Sequence, residues 1–461
     1  MRLRYFIERT VLIAVAVLVW RCWCLVGVLV PNRVDSGSMA PTLLGIHRHV
    51  ECDDCGYRFP CEVEPFPDAT RVVCPNCGYQ ENSVSGTEKA NLPGDGLLVD
   101  RSVYSWRTPQ RWEVVSFRLP ARADQICVKR VVGLPGEKVM IRQGDVYVDG
   151  EIQRKTLDQQ RAMAILVHDA NYQPTLSPTP PARWSGENAS SRWGSADGRF
   201  AHAPGPEPGV FDWLVYRHWR RVPNQPGNVE LAPVDDTCGY SQKHPRRVEE
   251  VSPVRDLLLS FDLVRTWDDG ELAVRMTDGT TEFEFRVSPA TGQYQARLDG
   301  RILPDGVGRL PGPIGRTHFE LSTIDRQYLV AMDRTVIGTW THPPGELARP
   351  SSVEPVRVGA SRLGVIIENL RLFRDVYYAQ PTGFRARWGV GRPIQLADDE
   401  FFVLGDNSPV SEDSRVWAEG PGVPATLLTG RPLLVHLPMR QIRLGPLEFQ
   451  VPDPGRMRYI P

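Results

Sequence analysis

Net charge of either sign is missing from this sequence. Its 461 residues carry 54 lysines and arginines against 55 aspartates and glutamates, a balance of −1, which argues against a chain whose main business is gripping nucleic acid by its phosphates. Glycine and proline, 40 and 41 residues, fall short of the roughly 25–30% that marks low-complexity disorder. Histidine is sparse, and neither of the two segments that carry the chemistry described below contains one. What is present is material for cores, including 12 tryptophans, in a length that corresponds to about three domains. The nine cysteines divide unevenly: Cys22 and Cys24 lie in an apolar N-terminal run, Cys127 and Cys238 stand alone, and five fall between Cys52 and Cys77. Such clustering points to a metal site before it points to disulfides.

The apolar run, VLIAVAVLVWRCWCLVGVLV from Val11 to Val30, would span about 30 Å as a helix, the thickness of a bilayer core. Arg21 interrupts it at a cost of about 2.5–3.5 kcal/mol on insertion scales, which the surrounding Leu, Val and Ile offset. Arg2, Arg4 and Arg9 precede the run and only Arg33 closely follows, so the basic bias places the N-terminus in the cytoplasm and the remaining chain outside. A cleaved signal peptide is the alternative, and no small-x-small cleavage pattern follows Val30 to support it.

Two segments follow that could work together: VDSGSMAPTL, residues 34–43, and VKRVVGLPGEKV, residues 128–139. A serine nucleophile at neutral pH needs a base, and a lysine can serve if an apolar site brings its pKa down toward 7–8. Lys129 lies in a run that alternates like a strand, with Cys127, Lys129 and Val131 on one face and Arg130 turned toward solvent. A third segment, FFVLGDNSPVSEDSRVW at 401–417, is an apolar strand ending in a Gly-Asp-Asn turn. Alone, a serine in a Ser-Gly-Ser turn is ordinary turn chemistry and a strand lysine is an ordinary surface charge; it is the combination that signifies.

In order, SGSMAPTL, GDGLLVDRSVY, KRVVGLPGE and GDNSPVSEDSRVWAEGPGVPATLLTGR resemble the boxes of bacterial type I signal peptidases, membrane-bound Ser-Lys proteases that remove signal peptides from exported proteins. The resemblance covers about a third of the 461 residues. It implies an all-β catalytic domain with Ser38 as nucleophile, Lys129 as general base and no cofactor for catalysis. It also implies that Ser36 offers its hydroxyl to the oxyanion hole beside the Ser38 N–H, and that Ser411 orients the lysine amine. Asp413 would pair with a basic neighbour such as Arg415, Arg130 would be structural, and Met39 and Pro41 would shape the nucleophile turn. Ser408 departs from the family, which usually has arginine after Gly-Asp-Asn, and this puts the salt bridge of that turn in doubt. The substrates implied are preprotein signal peptides, met at the outer face of the cytoplasmic membrane; eight residue steps from Val30 keep Ser38 within about 29 Å of the end of the apolar run. A self-cleaving repressor-type Ser-Lys peptidase shares the nucleophile turn but lacks the Gly-Asp-Asn box. A non-cleaving, membrane-anchored binding protein is the alternative from another class.

Between the nucleophile and lysine boxes, CDDCGYRF and CPNCGY place Cys52, Cys55, Cys74 and Cys77 in a C-x2-C…C-x2-C pattern. This is the pattern of a zinc ribbon holding structural Zn²⁺, with disulfides as the alternative in an oxidising compartment and Cys61 spare in either case. The stretch from Lys155 to Gln395 opens with a Pro- and Ser-rich part, Pro174–Pro181 and Trp184–Trp193, that reads as a linker. From about Arg255 onward, alternating runs broken by Asp-Gly, Thr-Gly and Asp-Arg turns predict an antiparallel β-sandwich. Its closing VRVGASRLGVIIENLRLFRDVYY resembles the end of concanavalin-like or laminin-G-like jelly rolls. No convergent acid pair or metal cluster is visible in it; Asp268, Asp269 and Asp278 read as turn formers, and a binding or spacer role, ligand unknown, is favoured over a second enzyme. The expected architecture is mainly β. Residues 1–30 form a membrane anchor; 31–51, 81–155 and 396–461 form the catalytic domain; 52–80 form the ribbon insert and 156–395 the linker and sandwich insert.

Overall fold

In the computed structural model of the chain, the described residues are 2–21, 27–62, 71–83, 91–205, 207, 209–225, 227–242, 250–342, 351–444 and 447–460. The architecture is mainly β. The N-terminus forms a helix, Arg2–Trp20, whose apolar side chains from Val11 to Trp20, among them Leu12, Ile13 and Leu18, are all exposed. Among the described residues no helix is long and apolar enough to cross a membrane. The predicted run Val11–Val30 includes residues 22–26, and with them Cys22 and Cys24, which lie outside the described residues.

An antiparallel sheet holds the three motif-bearing segments. Along its main path the strand order is Leu29–Arg33, Gly96–Asp100, Leu428–Val435, Val114–Leu119, Arg122–Gly133, Glu400–Leu404 and Val423–Pro424, with Arg458–Tyr459 added to Leu428–Val435. Strands from either side of the long middle stretch therefore interleave, so the chain leaves this sheet and returns to it. Val115, Phe117, Val131, Phe401 and Val403 pack into one core on the sheet, and Val34, Met39, Leu43, Leu97, Val99 and Val114 into another. A four-stranded sheet, Glu151–Ile152, Asp145–Val148, Lys138–Arg142 and Ile394–Gln395, lies beside it.

The middle of the chain folds as two larger antiparallel sheets, of eight and seven strands. Alternation is its cause: Leu257, Leu259, Phe261 and Leu263 from one strand, Leu272, Val274 and Met276 from the next, and Phe283 and Phe285 all enter one core. At Asp299-Gly300, Asp325-Arg326 and Asp333-Arg334 both central residues have positive φ. Those two-residue loops match the twist of the strands they join, and short Asp side chains tolerate that conformation.

Of the stretch expected to be a linker, residues 174–181 form no strand, whereas residues 184–193 are part of the sandwich. Trp184–Gly186 pairs with Asp212–Tyr216, Trp193–Ala196 pairs with Arg199–His202, and Trp184, Trp193 and Phe200 are buried in the sandwich core. Strands of three or four residues are too short to show a period, so proline and serine dominate the sequence signal although the tryptophans anchor the segment. Upstream of it, Leu157–Met163 forms a short helix with a Thr156/Gln159 capping box.

Candidate active site

The nucleophile-type turn follows the strand Leu29–Arg33. Ala40 N–H donates to Gly37 O at 3.0 Å and Leu43 N–H to Met39 O at 2.9 Å, while Met39 and Leu43 insert into the sheet core. This leaves Ser36 exposed and Ser38 half-buried, with their hydroxyl oxygens 3.3 Å apart.

Lys129 stands opposite Val115 in the strand Arg122–Gly133 and is 5% exposed. Its Nζ donates to Ser411 Oγ at 3.1 Å. Burial pushes the amine pKa below the ordinary lysine value, with the nearby Asp413 carboxylate opposing. Strand pairing explains the meeting: Glu400–Leu404 runs beside Arg122–Gly133, with Leu404 opposite Arg130, so the turn beginning at Gly405 opens over Lys129 and its neighbour. Gly405 is the pinch point. A Cβ there would lie 2.3 Å from Ser411 Oγ and 2.4 Å from Ser38 O, so only glycine lets the lysine's partner and the serine turn approach so closely. Lys129 and Ser411 are thereby paired, and the Ser38 backbone carbonyl lies against the same glycine.

Arg130 does not face solvent as strand alternation suggested. It is 1% exposed, with Nε donating to Asp406 Oδ1 at 2.8 Å and Nη2 to Asp406 Oδ2 at 2.6 Å, and Nη1 to Trp112 O at 2.6 Å. The face opposite Lys129 is covered by the returning chain, so the strand is buried on both sides from Lys129 onward, while its first residues are exposed. Asp406 also accepts from Thr42 Oγ1 at 2.6 Å, tying the Ser38 turn to the Gly-Asp-Asn turn. Ser408 does not break that turn's ion pairing. Arg415 donates to both carboxylate oxygens of Asp413 at 2.8 Å, to Ser408 Oγ at 2.9 Å and to Ser408 O at 2.9 Å. Burial alone would raise the Asp413 pKa, but Arg415 and Lys129 hold the carboxyl below its ordinary range.

Two contributors were not singled out from the sequence. Asp406 is one, and Asn407 is the other: its Nδ2 donates to Gly37 O at 2.9 Å and its N–H to Ser38 O at 3.1 Å. Both look like ordinary turn residues in Gly-Asp-Asn, and only their spatial partners distinguish them.

Cys52, Cys55, Cys74 and Cys77 are buried with their four sulfurs within 4.8 Å of one another. The Cys52–Cys77 and Cys55–Cys74 sulfurs are 3.6 and 3.7 Å apart and all four thiols are free. Disulfide bonding at about 2.05 Å is therefore not the arrangement, whereas a tetrahedral metal with bonds of about 2.3 Å sets sulfurs about 3.8 Å apart. The two knuckles repeat each other: Gly56 N–H bonds Cys52 O and Gly78 N–H bonds Cys74 O, both at 2.9 Å. Cys61 packs in the same small core without joining the four clustered sulfurs, and burial pushes its thiol up to about 12.

The sandwich does contribute to a convergent acid cluster, contrary to the sequence expectation. Asp145 from the smaller sheet meets Asp256 and Asp325 from the insert, their carboxylates within 4.8 Å of one another. Lys155 Nζ donates to Asp325 Oδ1 and to Asp375 Oδ2, both at 2.8 Å. A cavity of about 220 Å³, bordered by Asp145, Asp256, Arg326 and Tyr377, opens beside them. Asp145 and Asp256 are more than a hundred positions apart in the chain, which is why no local pattern announces the cluster.

Residues 76–200 match the family described as signal peptidase, peptidase S26. The probable signal peptidase I-2 of Synechocystis is 32% identical over 106 residues, covering 22% of this chain and 46% of that relative. The signal peptidase I of Pseudomonas aeruginosa is 37% identical over 82 residues, covering 15% of this chain and 29% of that one. The chain thus matches less than half the length of these curated relatives. Among solved structures, sheep galectin-11 superposes with a TM-score of 0.20 at 10% identity, covering 26% of this chain and 89% of that one, a likeness too slight to carry argument.

Proposed function

We propose, for a chain that carries the peptidase S26 domain of the signal peptidases, that it is a Ser-Lys endopeptidase that cuts signal peptides from preproteins. The observation that carries this reading is the buried Lys129 amine bonded to Ser411 Oγ at 3.1 Å, with that hydroxyl and the Ser38 carbonyl both crowding the place a Gly405 side chain would fill. A lysine held there favours its neutral form and can act as a base. In this mechanism Ser38 Oγ attacks the scissile carbonyl as its proton passes to Lys129 Nζ. The tetrahedral oxyanion is received by the Ser38 N–H and the Ser36 hydroxyl. The lysine ammonium then protonates the leaving amine, and water, deprotonated by the same amine, releases the acyl group from Ser38. Asp413 and Arg415 hold the turn that carries Ser411, and Arg130 with Asp406 holds the strand and turn in register.

The helix at Arg2–Trp20, whose apolar side chains from Val11 onward face outward, together with the residues after it would anchor the chain in the cytoplasmic membrane, N-terminus inside. The Ser38 site would then work at the outer face. Cys52, Cys55, Cys74 and Cys77 would hold Zn²⁺, which supplies cross-linking of the two knuckles rather than catalysis. The catalytic domain would comprise 31–51, 81–155 and 396–461, with 52–80 and 156–395 inserted. Detergent-solubilised protein given a preprotein is expected to release the mature chain, and Ser38→Ala or Lys129→Ala to abolish release. Cleavage by Lys129→Ala at the wild-type rate would overturn the mechanism, and no cleavage by the wild-type chain would leave the binding-protein reading.

A further inference from the structure

The loop Cys238–Gln242 belongs to the long insert, yet it lies on the nucleophile turn. The Tyr240 ring covers Gly37, where a Cβ would come 2.4 Å from a ring carbon. Tyr240 is 2% exposed and shares an apolar cluster with Ala40 and Leu44. Its hydroxyl donates to Ile46 O at 3.2 Å, and its carbonyl accepts from Glu62 N–H at 3.0 Å. The next residue, Ser241, accepts from Asn407 Nδ2 at 2.8 Å and donates to Glu62 Oε2 at 3.1 Å. The same Asn407 amide holds Gly37 O, and its N–H holds Ser38 O. The peptide groups on both sides of the Ser38 Cα are therefore fixed by Asn407, and Asn407 is fixed in turn by the insert.

On the other side the loop grips the ribbon. The Gln242 side-chain amide makes a reciprocal pair with the Val73 backbone, at 2.6 and 2.7 Å, and Gly239 lies so close to Pro75 that a Cβ would be 2.6 Å away. The two inserts and the nucleophile turn thus meet at one short loop of the long insert.

We propose that Tyr240 and Ser241 are positioning residues for Ser38, acting through Gly37 and Asn407, so that the insert completes the catalytic turn rather than riding on it. This rests on the Ser-Lys reading above. Neither side chain touches substrate or the reacting atoms; they set the angle at which Ser38 Oγ is presented, and misplacement of a reacting group by about 1 Å costs on the order of 100-fold in rate.

The test compares kcat, KM and melting temperature for the full-length protein on a preprotein substrate. Ser241→Ala removes one hydrogen bond from Asn407 and is expected to lower kcat on the order of 10-fold, with KM and melting temperature unchanged. Gly37→Ala is expected to lose activity by collision with Tyr240, and the double variant Gly37→Ala/Tyr240→Ala to recover part of it, a rescue that general destabilisation would not give. Ser241→Ala at wild-type kcat, or a double variant no more active than Gly37→Ala, would overturn the positioning role while wild-type cleavage kept the Ser-Lys reading intact. Absence of wild-type cleavage would remove both.

Discussion

The basicity that the Ser-Lys reading asks of Lys129 is set by what surrounds it: the buried amine bonds a hydroxyl at 3.1 Å and burial disfavours its ammonium form. The sign of the pH dependence follows. A base must be neutral to act, so kcat/KM is expected to rise with pH as Lys129 loses its proton. The rise should level off below the ordinary lysine value of about 10.4. A pH–rate profile checks this, and an inflection at or above that value would refute it. Lys129→Arg is expected to be as inactive as Lys129→Ala, since a guanidinium stays protonated at every usable pH. Ser38, Lys129 and Ser411 were legible as candidates because each sits in a short motif with its own spacing. Arg130 was misread because alternation reports on two faces of a strand but not on whether both are covered.

Among elements, the ribbon is the most local and so the easiest to read. Two Cys-x2-Cys-Gly-Tyr knuckles appear in the sequence as they appear in space, with the same Gly N–H to Cys O bond in each. The long strands of the sandwich were legible for the same reason, while the three-residue strand at Trp184–Gly186 was hidden by its shortness and by the prolines that precede it. The ribbon has little core besides its sulfurs, with Val50, Phe59 and Val72 around them, so metal binding and folding should be coupled. Metal analysis is expected to give about one Zn²⁺ per chain, the number that four clustered thiolates hold. Cys74→Ser or a strong chelator is expected to lower the melting temperature. Because Val73 and Pro75 contact Gln242 and Gly239, chelation should also lower kcat, although no sulfur lies among the proposed reacting groups. A metal-free preparation with unchanged stability would refute the coupling.

At the scale of the whole molecule, the acid cluster pins the long insert where its chain enters and leaves. Lys155 precedes the insert's first helix and Asp375 follows its last long strand, and the two are bonded at 2.8 Å. Tyr378 N–H then bonds Gly144 O at 3.2 Å, next to Asp145. Burial, with Asp325 adding repulsion, pushes Asp145 up to about 8, and burial pushes Asp325 up to about 6 although Lys155 opposes it. Asp256 is raised by the same burial and by Asp145, while Lys155 and Arg326 temper the rise at Asp145. Folded-state values above the unfolded value near 3.8 mean that the native state binds more protons than the unfolded chain does. This contribution to stability is complete at low pH and is lost as pH rises through about 6 and then about 8. The melting temperature is therefore expected to fall between about pH 4 and pH 8, and Asp145→Asn, which cannot ionise, should remove the part of that fall above about pH 6. Lys155→Met sharpens the test. It leaves the buried carboxylates without their ammonium, a loss of about 3–5 kcal/mol for a broken buried pair. The penalty should be larger near the upper end of that range, where the carboxylates are ionised, than near the lower end, where Asp145 and Asp256 hold protons. Melting curves of the wild type, Asp145→Asn and Lys155→Met across that range decide it: parallel curves for all three would mean that these carboxylates do not carry the raised pKa values.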